Sequence, residues 1–173
     1  MKIIAKPEAG EYAPYTSSYI GLLPDDGLIL KHLRDNLTST SDFLRSLGEE
    51  KLAYRYALGK WTIKEILAHL IDDERIYAYR ALRFARNDKT ELPGFEQDDY
   101  ACESGANERT LDDLLAEFAT VRNSTISLFA SFDNEALMRI GVASGNVMSV
   151  RAAAYHIAGH ELRHVNIIKE RYF

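Results

Sequence analysis

The sequence contains only one cysteine, Cys102, so an internal disulfide is impossible and a cysteine-based metal site is not expected. It also lacks an apolar run approaching the ~18 residues of a membrane span. The first residues lack the long apolar stretch of a secretory signal. We therefore expect a cytoplasmic protein without a membrane partner, in which any metal ion is bound through nitrogen and oxygen.

Clusters of basic residues are missing as well. The 21 lysines and arginines are scattered among 26 acidic residues, and the net charge is -5. This pattern argues against nucleic acid as a partner and is compatible with a small-molecule substrate. With 46% hydrophobic and 27% charged residues, the 173-residue chain suits one globular domain with a substantial core.

Proline is scarce, and three of the four prolines, Pro7, Pro14 and Pro24, lie near the N-terminus. Such a segment favours an extended lead-in that packs on the surface of the domain and contains no regular helix. We therefore divide the chain into a lead-in, residues 1–24, and a helical domain, residues 25–173.

What the chain has in abundance is helical periodicity. Leucines between residues 30 and 47 recur at steps of three, four and seven, and Thr62 with Glu65 has the spacing of a capping box. Thr110 and Ser149 are further N-cap candidates. Together these signals predict four helices over about 26–47, 62–85, 110–132 and 149–171. Because little strand is predicted, beyond a short extended piece at 137–142, the fold class is all-α, a helix bundle.

The segment 86–109 is predicted to be a loop, because it contains Asn87-Asp88 and then Leu92-Pro93-Gly94. A loop of this length is uncommon in a compact domain unless it has a use. Two interpretations stay open, a lid or substrate wall and a solvated acidic connector.

Three histidines, His156, His160 and His164, are spaced four apart in the fourth helix and form one stripe. The outer two lie roughly 12 Å apart along the axis, too far to bind one ion together, so one i, i+4 pair must be chosen and a further ligand must come from another segment. The face defined by the apolar residues favours His160 and His164, and it leaves His156 on the shoulder. Those apolar residues are Val150, Ala153, Ile157 and Ile168.

His69 falls on the flank of the second helix, where it could point into a second interface or into solvent. Asp73, one turn later, could orient the second ring nitrogen of His69 or pair with Arg75 or Arg80. His32 lies one residue off the leucine seam of the first helix and is interpreted as a surface or edge histidine.

Four stretches of the sequence resemble the DinB-like superfamily: residues 59–88, LPGFEQDDY, TLDDLLAEF and AYHIAGHELRHVNIIKERY. The resemblance covers about residues 25–173. It implies a four-helix bundle of DinB/YfiT-like topology with crossover connectivity, a divalent metal ion, nickel or zinc in many members, held by three histidines, and frequent homodimers.

Carried onto this sequence, the three ligands of that family fall on His69, His160 and His164. His156 matches a position that is not a usual ligand, and Arg163 stands where many relatives have a further histidine. The acidic candidates for a general base are Glu65, Asp73 and Glu161, and spacing assigns none of them, so the catalytic residues stay unknown.

Two functions follow from the resemblance. The first is a metal-dependent enzyme, a thiol S-transferase or a hydrolase acting on a small molecule, in which the ion lowers the pKa of water or of a substrate thiol. Low-molecular-weight thiols such as bacillithiol or mycothiol are the family's thiol partners. The alternative is a non-catalytic, dimeric, metal-binding module associated with stress, for which a closed four-ligand shell would be the structural sign.

Overall fold

A computed structural model of the chain describes residues 2–173. Four long helices make up the body of the protein, α2 (Ile29–Arg45), α4 (Ile63–Ala85), α6 (Leu111–Ser131) and α8 (Val150–Arg171). The shorter elements are α1 (Ser17–Ile20), α3 (Glu49–Leu52), α5 (Gln97–Glu103), α7 (Asn134–Met138) and an antiparallel hairpin of β1 (Ile140–Ala143) and β2 (Asn146–Ser149). The all-α bundle predicted from the sequence is confirmed.

Three of the long helices begin where their caps predict. The backbone N–H of Glu65 donates to Thr62 Oγ1 at 3.1 Å, and the N–H of Thr62 donates back to the Glu65 carboxylate at 2.7 Å, which completes the capping box. Thr110 and Ser149 accept from the third helical N–H in the same way. Because these bonds are local in the chain, the sequence is sufficient to locate the helix starts.

The long helices are not arranged in the order of the chain. α4 packs against α6 and α8, and α2 packs against the same two helices. The first and second long helices therefore occupy diagonal corners, and the connection between them, residues 46–62, crosses the end of the bundle. A simple up-and-down bundle would instead place consecutive helices side by side.

The helix α8 is buried on nearly all sides from Val150 to Glu161. It contacts α1, α2 and α4, so three surrounding elements cover its first half. One large hydrophobic cluster, around Tyr155 and Phe129, fills the end of the bundle near the hairpin, and a second, around Phe118 and Leu67, fills the other end. Several polar side chains of α8 are enclosed together with this core.

The N-terminal segment differs from the expectation in one respect, because it contains a 3-10 turn at Pro14–Thr16 and the short helix α1. The rest of the segment is irregular, with turns at residues 9–10 and 21–22, and lies against the bundle. Tyr155 donates its hydroxyl to the carbonyl of Ile4 at 2.8 Å, and the Ile4 N–H donates to the carbonyl of Gly27. The division of the chain at residue 24 stays a prediction.

The segment 86–109 is not a structureless loop, since it contains α5 and a 3-10 turn at Ala106–Glu108. Leu92 pairs with the β-hairpin through two backbone hydrogen bonds, to Val142 and Ser144. The predicted extended piece at 137–142 is partly wrong, because α7 ends at Met138 and strand β1 starts at Ile140. Ser144 and Gly145, which both have positive φ, form the tight turn between the two strands.

Candidate metal centre

α4 carries two polar groups into the interior of the bundle. His69 is 2% exposed and Asp73 is 5% exposed, although both lie on the flank of the apolar stripe. The flank is buried because α8 packs along it. The periodicity of α4 did not determine whether His69 points into a second interface or into solvent. Its packing against α8 places the side chain in the interior, opposite the histidines of α8.

A close approach of the N-terminal segment shapes the other side of the centre. A Cβ atom added at Gly159 would lie 2.3 Å from the carbonyl oxygen of Tyr19, so only glycine allows the backbone of α1 to cross α8 here. The ring of Tyr19 then lies 5.4 Å from the ring of His156 and 5.3 Å from that of His160. The segment before residue 25 thereby contributes to the surroundings of the histidines.

The three histidines predicted as ligands come together at their Nε2 atoms. His160 Nε2 lies 3.2 Å from His69 Nε2 and 3.0 Å from His164 Nε2. Two imidazole nitrogens that each lie about 2.1 Å from one ion are roughly 3.0–3.4 Å apart for angles of about 90–109° at the ion. The observed separations fall in that interval, so the donor set fits a divalent ion; the role of the three residues as ligands stays a prediction.

Asp73 fixes the ring of His160 and not, as the sequence suggested, that of His69. Its Oδ2 atom lies 3.2 Å from His160 Nδ1 and 3.2 Å from His156 Nε2. Burial opposes the charge of Asp73, but His160 and His156 outweigh it and hold the pKa of this carboxyl well below its usual value. An ionised carboxylate only accepts hydrogen bonds, so His160 carries its proton on Nδ1 and keeps the Nε2 lone pair free for an ion.

The other two histidines are held in the neutral form. Burial lowers the pKa of His69 to about 4 and that of His164 to about 2, and the neighbouring His160 lowers both further. Trp61 provides much of the apolar wall, because its ring lies 4.7 Å from His69 and 6.2 Å from His164. Neutral imidazole is the form that binds metal ions, so the surroundings favour ligation at neutral pH.

His156 is buried rather than placed on the shoulder of α8, with an exposure of 3%. Its ring stacks on Tyr77 with a centroid distance of 3.6 Å and an interplanar angle of 6°. The helical-face estimate was wrong here, because it assumed a single buried face, whereas α8 is enclosed on several sides. His156, His160 and Asp73 also form a second group of potential ligands, which shares His160 with the first.

The two other acidic candidates for a general base lie elsewhere. Glu65 is occupied by the capping box and by two hydrogen bonds of 2.7 Å from Arg55. Glu161 points to the far side of α8, where Thr40 donates to it at 2.6 Å and Arg122 lies 2.8 Å away. Of the three acidic residues, Asp73 alone contacts the histidine cluster.

Two clefts flank the cluster. The larger, with a volume of about 400 Å³, is lined by His156, His160 and Asp73 on one side and by Phe95 and Gln97 on the other. The smaller, of about 300 Å³, is lined by His164, Trp61 and again Gln97. The start of α5 thus forms part of the wall of both clefts, in agreement with the substrate-wall interpretation of segment 86–109.

Sequence reasoning missed several residues that line the larger cleft, among them Tyr15, Tyr19 and Arg80. The tyrosines lie in the segment that was expected to pack on the surface. Arg80 could have been noticed from its spacing, because it lies eleven residues after His69 and so within about 20° of the same face of α4. None of the helices in residues 2–173 combines the length and hydropathy needed to cross a membrane.

Two known proteins are similar to this chain, one in sequence and one in fold. A protein of Oceanobacillus iheyensis named "Putative metal-dependent hydrolase" is 25% identical over 142 residues, which is 81% of this chain and 81% of that protein. YfiT from Bacillus subtilis, described as a probable metal-dependent hydrolase with an unusual four-helix bundle topology, has a similar fold, with a TM-score of 0.70 and 14% identity. The match covers 96% of this chain and 91% of YfiT.

The family assignment rests on a third match, to a family model. Residues 32–168 fit the sequence model of the DinB superfamily. This range includes α4, α8 up to residue 168 and all the histidines of the cluster, and it agrees with the resemblance drawn from the histidine-bearing segments. The chain belongs to the DinB superfamily.

Proposed function

We propose that this protein is a divalent-metal-dependent enzyme that acts on a small molecule, with His69, His160 and His164 as the metal ligands. The observation that carries the proposal is the convergence of three Nε2 atoms, from the buried His69 and His160 and the half-buried His164, beside two clefts. When bound, a nickel or zinc ion supplies Lewis acidity and favours the deprotonated form of water or of a thiol. The cytoplasm is the compartment we propose for this activity.

The chain's own residues have three roles in this proposal. Asp73 holds the ring of His160 in the tautomer that leaves Nε2 free. Trp61 and the helix packing remove most of the surface of His69 and His164 from water, which favours the neutral form of both rings. Phe95 and Gln97 provide a wall against which a substrate of small-molecule size can lie, since ligand pockets usually have volumes of about 300–1,000 Å³.

Hydrolysis is the reaction that the names of the two relatives favour. Transfer to a low-molecular-weight thiol is the second candidate, and the presence of two clefts supports it. A transferase must bind a thiol and an electrophile at the same time, and a cleft on each side of the histidines provides room for both. A hydrolase needs only one of the clefts for its organic substrate.

Metal content is the first test. We expect about one zinc or nickel ion per chain by elemental analysis, and its loss in His160→Ala and His164→Ala, because two histidines form an incomplete site. His32→Ala is a matched control, since His32 pairs with Asp26 far from the cluster. Full metal content in both cluster variants would contradict the ligand assignment.

Turnover is the second test. The metal-loaded protein should be screened for ester and amide hydrolysis and for conjugation of thiols to electrophiles, with His69→Ala and a chelator as controls. We expect one of the screens to be positive and its rate to fall at least a hundredfold in His69→Ala. Absence of activity in every screen, or activity indifferent to the chelator, would favour the alternative function, a metal-binding interaction module without turnover.

We also propose that the protein forms a homodimer through the outer faces of α2 and α6, because the bundle core uses only one stripe of each helix. A shallow groove lies between these helices, lined by Leu37, Ser41 and Leu115. A monomer mass by light scattering at micromolar concentration would overturn this proposal.

A further inference from the structure

Arg80 is an arginine whose charge has no acidic partner although it is only 5% exposed. The other arginines of residues 2–173 that lack an ion pair are exposed to solvent; they are Arg34, Arg86, Arg163 and Arg171. Arg122, which is only 1% exposed, is paired with two glutamates. A buried guanidinium without a counter-ion is costly, so its position calls for an explanation.

The hydrogen bonds of Arg80 use only part of its donor capacity. Nη2 donates to the carbonyl of Pro93 at 3.0 Å and to the hydroxyl of Ser144 at 3.2 Å. Within residues 2–173, Nε and Nη1 donate to no protein atom, and neither is sealed from solvent. The Nε and Nη1 donors of the planar guanidinium of Arg80 are therefore available to a ligand in the cleft.

The position of Arg80 is fixed from three sides. Its guanidinium carbon lies 5.0 Å from the centroid of the Tyr77 ring, which in turn stacks on His156. Ser144, whose hydroxyl accepts from Nη2, is itself held in the tight turn of the β-hairpin, with φ of 51°. The pre-positioned fork is what recognition of a planar or tetrahedral oxyanion requires.

The acidic groups of the same cleft do not neutralise Arg80. Asp73 lies seven residues before it on α4, about 10 Å along the helix axis, and its charge is engaged by His156 and His160. Glu96 is exposed at the rim, where solvent screens its charge. Among residues 2–173, Arg80 is therefore the one lysine or arginine that lines this cleft.

We propose that Arg80 binds an oxyanion group of the substrate, a carboxylate or a phosphate, while the reacting end of the molecule lies at the histidine cluster. The inference rests on the proposed function, and it adds the substrate class, an anionic small molecule. On α4 the lining of the cleft runs from Asp73, beside the histidines, to Arg80, a separation of about 10 Å along the helix axis. The anionic group is accordingly remote from the bond that reacts and serves to position the substrate.

Binding of small probes tests the inference without turnover. The full chain, labelled with ¹⁵N-arginine and studied with and without added zinc, is titrated with benzoate, phenyl phosphate and the neutral benzamide, and the side-chain Nε–H resonance of Arg80 is followed. We expect at least one anion to shift this resonance and to bind at least about tenfold more tightly than benzamide, as for a charge-assisted hydrogen bond. The two anions distinguish a carboxylate from a phosphate.

Variants complete the test. Arg80→Ala should remove the preference for the anion, Arg80→Lys should keep only part of it because lysine lacks the fork, and Arg86→Ala on the exposed end of the same helix should keep it in full. Equal binding of benzoate, phenyl phosphate and benzamide to the unmodified chain, or an anion preference that survives in Arg80→Lys unchanged, would overturn the inference. Because this experiment measures binding and not catalysis, its result does not depend on the activity screens. Failure of the Arg80 inference and failure of the proposed function can therefore be told apart.

Discussion

The histidines of the cluster couple the stability of the metal-free protein to pH. The pKa of His69 is lowered to about 4 and that of His164 to about 2, mainly by burial, whereas an unfolded histidine titrates at about 6.5. Between pH 6.5 and 4 the unfolded chain therefore binds protons that the folded chain does not. The free energy of unfolding must fall as the pH decreases through this window.

For His69 alone, we expect a loss of about 2 kcal/mol in the free energy of unfolding between pH 7 and pH 5. Urea unfolding of chelator-treated protein at the two pH values measures it. His69→Gln should lose this part of the pH dependence, and His32→Gln, at the edge of α2, should retain it. The same pH dependence in both variants would show that the ring of His69 is not held neutral by its surroundings.

At the scale of the helix, the crossing of α1 over α8 depends on Gly159. In a solvated helix, Gly→Ala stabilises by about 1 kcal/mol. Here the new Cβ would lie 2.3 Å from the Tyr19 carbonyl oxygen, so α1 has to move away. We expect Gly159→Ala to destabilise the protein by about 1–3 kcal/mol and to displace Tyr19 from the rings of His156 and His160.

Urea unfolding measures the effect, and protease cleavage within residues 2–24 reports whether the segment has detached. Gly48→Ala is a suitable control, because no atom lies within 4 Å of the added Cβ and φ is -75°. Its effect should stay within about 0.5 kcal/mol. An increase in stability of Gly159→Ala would mean that α1 does not pack on α8 in solution as described.

At the scale of the whole molecule, Arg122 ties the four long helices together. From α6 it donates to Glu74 of α4 at 2.9 Å and to the carbonyl of Leu33 in α2 at 2.8 Å. Glu161 Oε2 of α8 lies 2.8 Å from Arg122 Nη2, which makes an ion pair without hydrogen-bond geometry. The other carboxylate oxygen of Glu161 accepts from the Thr40 hydroxyl. All these charges are about 1% exposed.

Arg122→Met leaves two buried glutamates without their cation, so we expect a loss of about 3–5 kcal/mol in the free energy of unfolding. Replacing Arg122, Glu74 and Glu161 together by apolar residues of similar volume should recover most of it. Arg109→Met, which breaks partly exposed pairs with Asp113 and Glu117, serves as the control with an expected cost of about 1 kcal/mol or less. Chemical unfolding of these three proteins measures the costs. A cost of Arg122→Met no larger than that of Arg109→Met would contradict the view that Arg122 links the four helices.

The sequence by itself determined the elements that depend on local interactions. Thr62, Thr110 and Ser149 cap N–H groups in the first turn of their own helices. The i, i+4 spacing of His160 and His164 places both side chains on the same face of one helix. A capping bond or an i, i+4 pair involves residues within four positions of each other. Such features can be predicted from a single chain segment.

Only the tertiary structure decided what each polar side chain faces. The contacts of Asp73 with His156 and His160 join residues more than 80 positions apart, and the network of Arg122 joins four helices. The diagonal order of α2 and α4 buries the flank that carries His69, and the crossing of α1 at Gly159 brings Tyr19 over the cluster. Periodicity defines a helix face, but which neighbour covers that face depends on how the whole chain packs.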